Sequence, residues 1–492
     1  MLPSSPLPGS PLPSGPLPSG PSASIAPPSD PAAAAPASTA PIPAWAPLKD
    51  RLLWVKNFRR LLASREKELT ALAEAEVARP RFEAVMSDLL PLLAACRWLE
   101  KRAPALLAPR RIRSTPWWLS GTRIIEERAP LGTVAIIATW NYPIQLLGIE
   151  MVQALAAGNR VIVKPSENAP KTQLRLLELA IEAGLPPMGV LDWTQPTREA
   201  GAELLAEHAS GLRRFDHVLF TGSTPVGREI AQALAPTLTP CTLELSGRDS
   251  AFVLEDADPV KAARAIWAAV TINHGQTCMG PRRALVHQSV YPDFVSTLRT
   301  LAAKAPVRRL INDAAADTFQ RLVSTAIADG GQDAAGPNAP ALRDGTSVRA
   351  TAIIDCPMAT PLVEGRHFAP ALAVLPVPTL SYALSLHRRC DQHLTASIFT
   401  KDIASARALA PELGATNVTI NDAILPTAHP AVSIGGRGDS GWGLSRGVEG
   451  LLAMTRPVYI STGKHGVARV LDTPGPRMAG MVTWVLMRLA RR

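Results

Sequence analysis

The chain has 492 residues, 47% hydrophobic and 19% charged, which is ordinary for a globular protein and enough to bury more than one core. Its formal net charge is +10 at a pI near 9.7, but the basic residues are scattered arginines with no block alternating with aromatics, which argues against a nucleic-acid partner. Five cysteines (Cys96, Cys241, Cys278, Cys356 and Cys390) form no CxxC pair, so neither a metal site nor a disulfide framework is expected, and a reducing compartment fits.

Residues 1–47 open with PLPGSPLPSGPLPSGPS and continue as an Ala/Pro stretch. This composition cannot bury enough apolar surface to offset its ordering entropy, and it predicts a disordered tail. The tail has no charged segment followed by an apolar one and no arginine before residue 51. Neither a secretory nor a mitochondrial leader is expected, and the cytoplasm is the expected compartment.

From Leu48 the apolar residues fall at helical spacing, and LKDRLLWVKNFRRLLASREKELTALAEAEVARP and FEAVMSDLLPLLAACRWLEKRAPALLA predict two amphipathic helices. Strand-like and helical runs then alternate. GTVAIIAT (132–139), RVIVK (160–164), HVLFTG (217–222) and TLEL (242–245) read as strands. YPIQLLGIEMVQALAAG, closed by Gly158, TQLRLLELAIEAG and TPVGREIAQALA read as the helices between them. Such alternation predicts a parallel sheet with crossover helices. DSAFVLED, RRALVHQSV, TASIFTK and TNVTIND supply a second set of strands, with VKAARAIWAAVTINH and PDFVSTLRTLAAK as helices, so two α/β domains are expected. The last stretch, RMAGMVTWVLMRLARR, carries an apolar run too short to span a bilayer. It fits either a helix packed on a neighbouring subunit or a peripheral membrane contact.

Several of these elements carry polar residues at strand ends, where α/β proteins bind ligands. FTGSTPVG (220–227) joins a strand to a helix through a Gly-Ser turn, a backbone that suits a phosphate. In VIVKPSE (161–167), Lys164 and Glu167 fit ribose and phosphate contacts, or simply a solvated loop. Asn141 in WNYP offers amide donors for an oxyanion, or an Asx turn. Glu244 in LELSGRD lies in an apolar strand, where burial raises a carboxylate toward useful base strength; the alternative is an ion pair with Arg248. Cys278, in GQTCMGPRR, sits among small and polar residues and ahead of Arg282 and Arg283. It is either an inert thiol or a nucleophile made available by nearby positive charge. His274, four residues earlier on the expected helix, would make a Cys–His pair.

In order, WNYP, ALAAGNRVIVKPSE, FTGSTPVG, LELSGRD, GQTC and SIGGRGDSGWGLSRGVEGL (433–451) resemble the NAD(P)-dependent aldehyde dehydrogenase superfamily over roughly residues 50–465. The resemblance implies an α/β fold with a Rossmann-type cofactor domain (48–112 and 131–246) and an α/β catalytic domain (247–453). A bridging β-hairpin (113–130 and 454–466) and an apolar basic tail (467–492) would complete the chain. It implies Cys278 as nucleophile, Asn141 with the Cys278 N–H as oxyanion donors, and Glu244 as the base that activates water. Lys164, Ser166, Glu167, Gly222, Ser223, Trp140 and Phe368 would bind the cofactor. Glu167 would favour NAD over NADP by repelling a 2′-phosphate. An aldehyde substrate and a homodimer or homotetramer are further implications. Departures exist: in GRHFAPAL, Arg366 stands where the family carries a glutamate and Ala369 where it carries glycine, while Phe368 and Pro370 match. Arg366 keeps a low-activity cofactor-binding scaffold as one alternative. A CoA-acylating relative is the other, and Glu244 argues against it.

Overall fold

A computed structural model describes residues 43–113, 121–186, 189–364, 367–463 and 475–491. Two sheets organise it. The first runs Gly441–Trp442, Cys241–Leu245, His217–Gly222, Thr133–Ile137, Arg160–Lys164, Leu191–Trp193, all parallel except the Gly441–Trp442 edge. The second runs Gln332–Asp333, Thr351–Ile354, Ala371–Val377, Pro281–His287, Asp249–Val253, Thr395–Phe399, Asn417–Ile420, with only Gln332–Asp333 antiparallel. Both are covered on two faces, which is why their strands read as continuous apolar runs. Only Ser246, Gly247 and Arg248 separate the last parallel strand of the first sheet from a central strand of the second. Glu244 therefore lies where the sheets meet.

The Gln145–Ala157 helix is buried at every residue, as expected of a helix apolar all round. It lies against the first sheet beneath the Leu48–Ser64 and Leu90–Leu106 helices. Gly158, at φ 103°, ends it. Its three buried polar residues each find partners, Gln153 and Glu150 through their side chains and Gln145 through its backbone N–H. Gln153 Nε2 donates to Gly447 O at 3.1 Å and Gln153 Oε1 accepts from the Arg446 N–H at 3.1 Å. Glu150 accepts from the Thr221 hydroxyl at 3.1 Å. Gln145 packs beside Asp88, whose carboxylate accepts the Gln145 N–H.

The N-terminal helices depart from the two expected. The first run breaks at Arg65 (φ −101°, ψ 17°) into Leu48–Ser64 and Glu66–Val77. The second starts at Arg81–Ala84, widens into a π turn over Val85–Leu89, and resumes as Leu90–Leu106. Pro91 explains the widening: it has no N–H to give and its ring crowds the preceding turn. The π turn buries Asp88 completely.

The two segments expected to bridge pair antiparallel, and a third strand joins them. Thr122–Pro130 pairs with Thr455–Gly463 along its whole length, and Arg110–Ile112 adds the third strand. Several strands escaped the periodicity, the fully buried Thr351–Ile354 among them. Leu191–Trp193 is short, and Ala371–Val377 contains Pro376, which ordinarily argues against a central strand. Residues 1–42 and 464–474, and with them most of the expected N-terminal tail and the first part of the expected C-terminal one, lie outside the described residues.

Candidate active site

The cysteine loop is built by an abrupt end to a helix. Pro259–Thr271 stops, and Asn273 (φ 48°), His274 (φ 59°) and Gly275 (φ 70°) follow in the left-handed region. Three such residues in a row require outside support. Arg79 provides it. Its guanidinium is fully buried, pairs with Asp88 at 2.7 Å, and donates from Nε to Asn273 Oδ1 at 3.0 Å. It also donates to the Asn141 carbonyl and lies 4.5 Å over the Tyr142 ring. Gly275 has no room for a side chain: a Cβ would lie 2.2 Å from the Pro370 nitrogen. Arg282 closes the loop from the other side. It donates to Gly275 O and Ala369 O, each at 3.0 Å, and to Thr277 O at 2.7 Å.

Arg79→Ala should therefore cost about 3–5 kcal/mol, because it strands a buried Asp88 carboxylate. The midpoint of chemical denaturation measures this. The double variant Arg79→Met/Asp88→Leu should recover part of the loss.

This loop brings Asn141 beside Cys278. Asn141 Nδ2 donates to Gln276 O at 3.1 Å, and Tyr142 shares a 2.7 Å hydrogen bond with the Thr277 hydroxyl. Cys278 is half-buried. The expected Cys–His pair on one helical face does not form. The helix ends before His274, whose Nδ1 lies 2.7 Å from Arg309 O. The expected activation by nearby positive charge is also corrected. Burial first, then the neighbouring Glu244, pushes the Cys278 thiol up to about 12, against the pull of Arg446 and Arg282.

Glu244 is buried and accepts a hydrogen bond from the Ser445 hydroxyl. Burial raises its carboxyl well above the usual range, opposed by Arg446. The strand carrying it is held by the glycine-rich 433–451 segment. Gly441, at φ 96°, pairs with Glu244 so closely that a Cβ would meet Leu243 O at 2.0 Å. Sequence reasoning missed a second carboxylate here. Glu150 is bonded to Thr221, and Thr221 is the register neighbour of Glu244. Burial and the Glu244 charge raise Glu150 as well. The signals were an acid in a largely apolar helix, and likewise Asp88 in FEAVMSDLLPLL.

The expected cofactor residues cluster at the C-terminal ends of the first sheet. Lys164 Nζ pairs with Glu167 at 2.8 Å, and Arg198 Nε reaches the other oxygen of Glu167 at 3.1 Å. Burial works to raise the Glu167 carboxyl, but the Lys164 hydrogen bond and the surrounding donors hold it down at about 2. Ser223 is exposed and precedes the Thr224–Leu234 helix without capping it, leaving that helix N-terminus able to donate to an anion. Gly222 ends the preceding strand. Ser166 is buried and engaged in its own turn: its hydroxyl accepts the Asn168 N–H at 3.3 Å. Trp140 and Phe368 meet edge to face at 5.8 Å, between the two sheets' strand ends and the cysteine loop. A paired ammonium and carboxylate, an uncapped helix terminus and two partly exposed aromatic rings suit a dinucleotide's ribose, pyrophosphate and ring. Arg366 lies outside the described residues. No cluster able to hold a metal ion occurs among the described residues.

The chain is similar to known proteins along most of its length. Residues 23–460 match the aldehyde dehydrogenase family model. A "4,4'-diapolycopene aldehyde oxidase" of Methylomonas sp is 31% identical over 84% of this chain and 77% of its own length. The "Aldehyde dehydrogenase, dimeric NADP-preferring" of Canis lupus familiaris is 29% identical over 82% of this chain and 87% of its own. The crystal structure of a Mycobacterium tuberculosis aldehyde dehydrogenase complexed with NAD+ superposes with a TM-score of 0.76, at 25% identity over 84% of this chain and 85% of that one. With the family match spanning most of the sequence and both sheets, the chain belongs to the aldehyde dehydrogenase family.

Proposed function

We propose that this protein oxidises an aldehyde to a carboxylic acid with NAD(P), using Cys278 as nucleophile, Asn141 as oxyanion donor and Glu244 as hydrolytic base. The observation that carries the reading is the loop at 273–278. It ties Asn141 to the residue two before Cys278 and leaves the thiol within electrostatic reach of Glu244.

Cys278 gives its thiol proton to solvent, the thiolate attacks the carbonyl carbon, and the π pair moves to oxygen. The Asn141 amide and the Cys278 N–H stabilise that charge as it forms. When bound, the dinucleotide supplies the hydride acceptor that turns the thiohemiacetal into a thioester. Glu244 takes a proton from water, which adds to the thioester; collapse releases the acid and returns the thiol. A carboxylate raised by burial is matched to that task near neutral pH. A CoA-acylating enzyme has no need of it.

Lys164, Glu167 and Ser223 would hold the adenosine ribose and pyrophosphate, with Gly222 allowing close approach and Trp140 and Phe368 flanking the nicotinamide end. Glu167 sits between two cations, so removing its charge leaves Lys164 and Arg198 facing any 2′-phosphate. Glu167→Gln should move the NADP-to-NAD ratio of dissociation constants roughly tenfold toward NADP, about 1.4 kcal/mol. Fluorescence titration with each nucleotide checks this.

We assign residues 48–112 and 131–246 to the cofactor domain and 247–453 to the catalytic domain. Residues 113–130 and 454–466 form an oligomerisation segment, whose long exposed edge at Thr455–Gly463 suits a homodimer or homotetramer. The cytoplasm suits the five unpaired thiols. A lipophilic aldehyde is the proposed substrate class, supported by the name of the Methylomonas relative and by an apolar C-terminal run that makes peripheral membrane contact. Nicotinamide absorbance with short, aromatic and long-chain aldehydes, with and without CoA, tests the whole reading. CoA-dependent turnover, or nucleotide binding with no turnover at all, would defeat it.

A further inference from the structure

The chain ends in a helix, Pro476–Ala490, that is out of keeping with the rest of the surface. Residues 475–489 are exposed or half-exposed throughout, although most are apolar. Met478, Met481, Trp484 and Met487 are each more than half exposed, at 55%, 61%, 60% and 54%. The side chains are sorted, not uniform. Met478, Val482, Val485 and Leu489 recur at helical spacing and form one apolar stripe. Arg477, Trp484, Arg488 and Arg491 form a second stripe beside it, and the Arg488 guanidinium lies 5.1 Å over the Trp484 ring.

Length decides one question. At about 1.5 Å per residue the helix reaches about 22 Å, short of the roughly 30 Å hydrocarbon core of a bilayer. No helix among the described residues is long and apolar enough to cross a membrane. Charge decides the next. From Arg477 to the end the chain carries four arginines and no acidic residue. Two copies of this helix laid face to face would bring like charges together without a counter-charge. An anionic surface meets the same pattern with complementary charge. Arginine and tryptophan at the edge of an apolar stripe are the residues that settle at a lipid headgroup boundary.

We propose that the Pro476–Ala490 helix lies in the plane of an anionic lipid surface, its methionine, valine and leucine stripe in the acyl boundary and its arginines on the headgroups. This rests on the peripheral-contact reading above and gives it a mode and a lipid class. The catalytic body would then be held at the phase where a lipophilic aldehyde is dissolved.

The test is flotation of the full-length protein with phosphatidylcholine vesicles and with phosphatidylcholine vesicles containing phosphatidylglycerol, at low and high salt. Roughly tenfold more protein should float with the anionic vesicles at low salt, and high salt should reduce that margin. Val482→Asp/Val485→Asp should abolish flotation, and Arg477→Gln/Arg488→Gln/Arg491→Gln should erase the preference for anionic lipid. Because every substituted side chain is exposed or half-exposed, aldehyde oxidation in solution should stay unchanged and report that the variants fold. Equal flotation with both vesicle types would overturn the anionic in-plane mode while leaving a peripheral contact standing. No flotation with either would overturn both. A lower oligomer mass for Val482→Asp/Val485→Asp by light scattering, without flotation of the parent protein, would assign the helix to a second copy instead. None of these three outcomes bears on the aldehyde chemistry, which the solution assay reads separately.

Discussion

Cys278→Ala should lose aldehyde oxidation by at least about 10³-fold, the scale on which enzymes lose rate when a covalent nucleophile is deleted. It should bind nucleotide as the parent does, because the cofactor residues lie on other strands. The pH dependence makes the assignment sharper. The thiol is pushed up to about 12 by burial and the Glu244 charge, so at neutral pH the free protein holds it protonated. Below that value the thiolate fraction grows about tenfold per pH unit. Alkylation of Cys278 by iodoacetamide should therefore be slow at neutral pH and accelerate steeply into the alkaline range. Cys96, Cys356 and Cys390 are buried, and peptide mapping separates Cys278 from the equally half-buried Cys241. A Cys278 that reacts rapidly at neutral pH in the nucleotide-free protein would contradict the electrostatics of the loop. Loss of nucleotide binding together with turnover in Cys278→Ala would contradict the separation of the two sites.

Much of this was legible before the structure, for a physical reason. Strands buried on both faces must be apolar along their whole length, so Thr133–Ile137 and His217–Gly222 stand out as runs. Gly158 marks the end of its helix because the position needs φ 103°. The proposed nucleophile, oxyanion donor and base stand out only in combination, since each alone has an ordinary structural explanation. What was not legible is held by contacts distant in sequence. Periodicity carried the helix before Cys278 on to His274, whereas the structure ends it at Thr271. The turn that replaces it is fixed by Arg79, 194 residues away from Asn273, and by Ala369–Pro370. Neither contact leaves a local trace. The electrostatic environment of Cys278 was misjudged for a similar reason. Arg282 and Arg283 are adjacent in sequence, but Arg282 is consumed by three carbonyls, and the charge felt most by the sulfur is Glu244, on another strand.

Glu244→Gln should separate the two halves of the reaction. Acylation runs through a thiolate whose proton goes to solvent, as the alkaline-rising profile of the thiol implies, so the variant should still release about one reduced nucleotide per site in a burst. Turnover after the burst should then fall by roughly 10²–10⁴-fold, the range ascribed to general-base catalysis. Intact-mass analysis during the stall should find the acyl group on the Cys278 peptide. The sign of the pH effect follows from burial. An ordinary glutamate ionises near about 4.3, and Glu244 is raised from there, with Glu150 raised beside it. The base form is lost as pH falls, so the acid limb of the parent's steady-state rate should lie well above that ordinary value and close to neutral. The Glu244 charge raises Glu150 and Arg446 pulls on both, so the limb belongs to the pair. In Glu244→Gln the limb should vanish from the slow residual rate, while the burst keeps the alkaline-rising profile set by the thiol. A variant with no burst would place Glu244 in acylation rather than hydrolysis. A variant with undiminished steady turnover would give the water-activating role to Glu150, the other carboxylate of this pair.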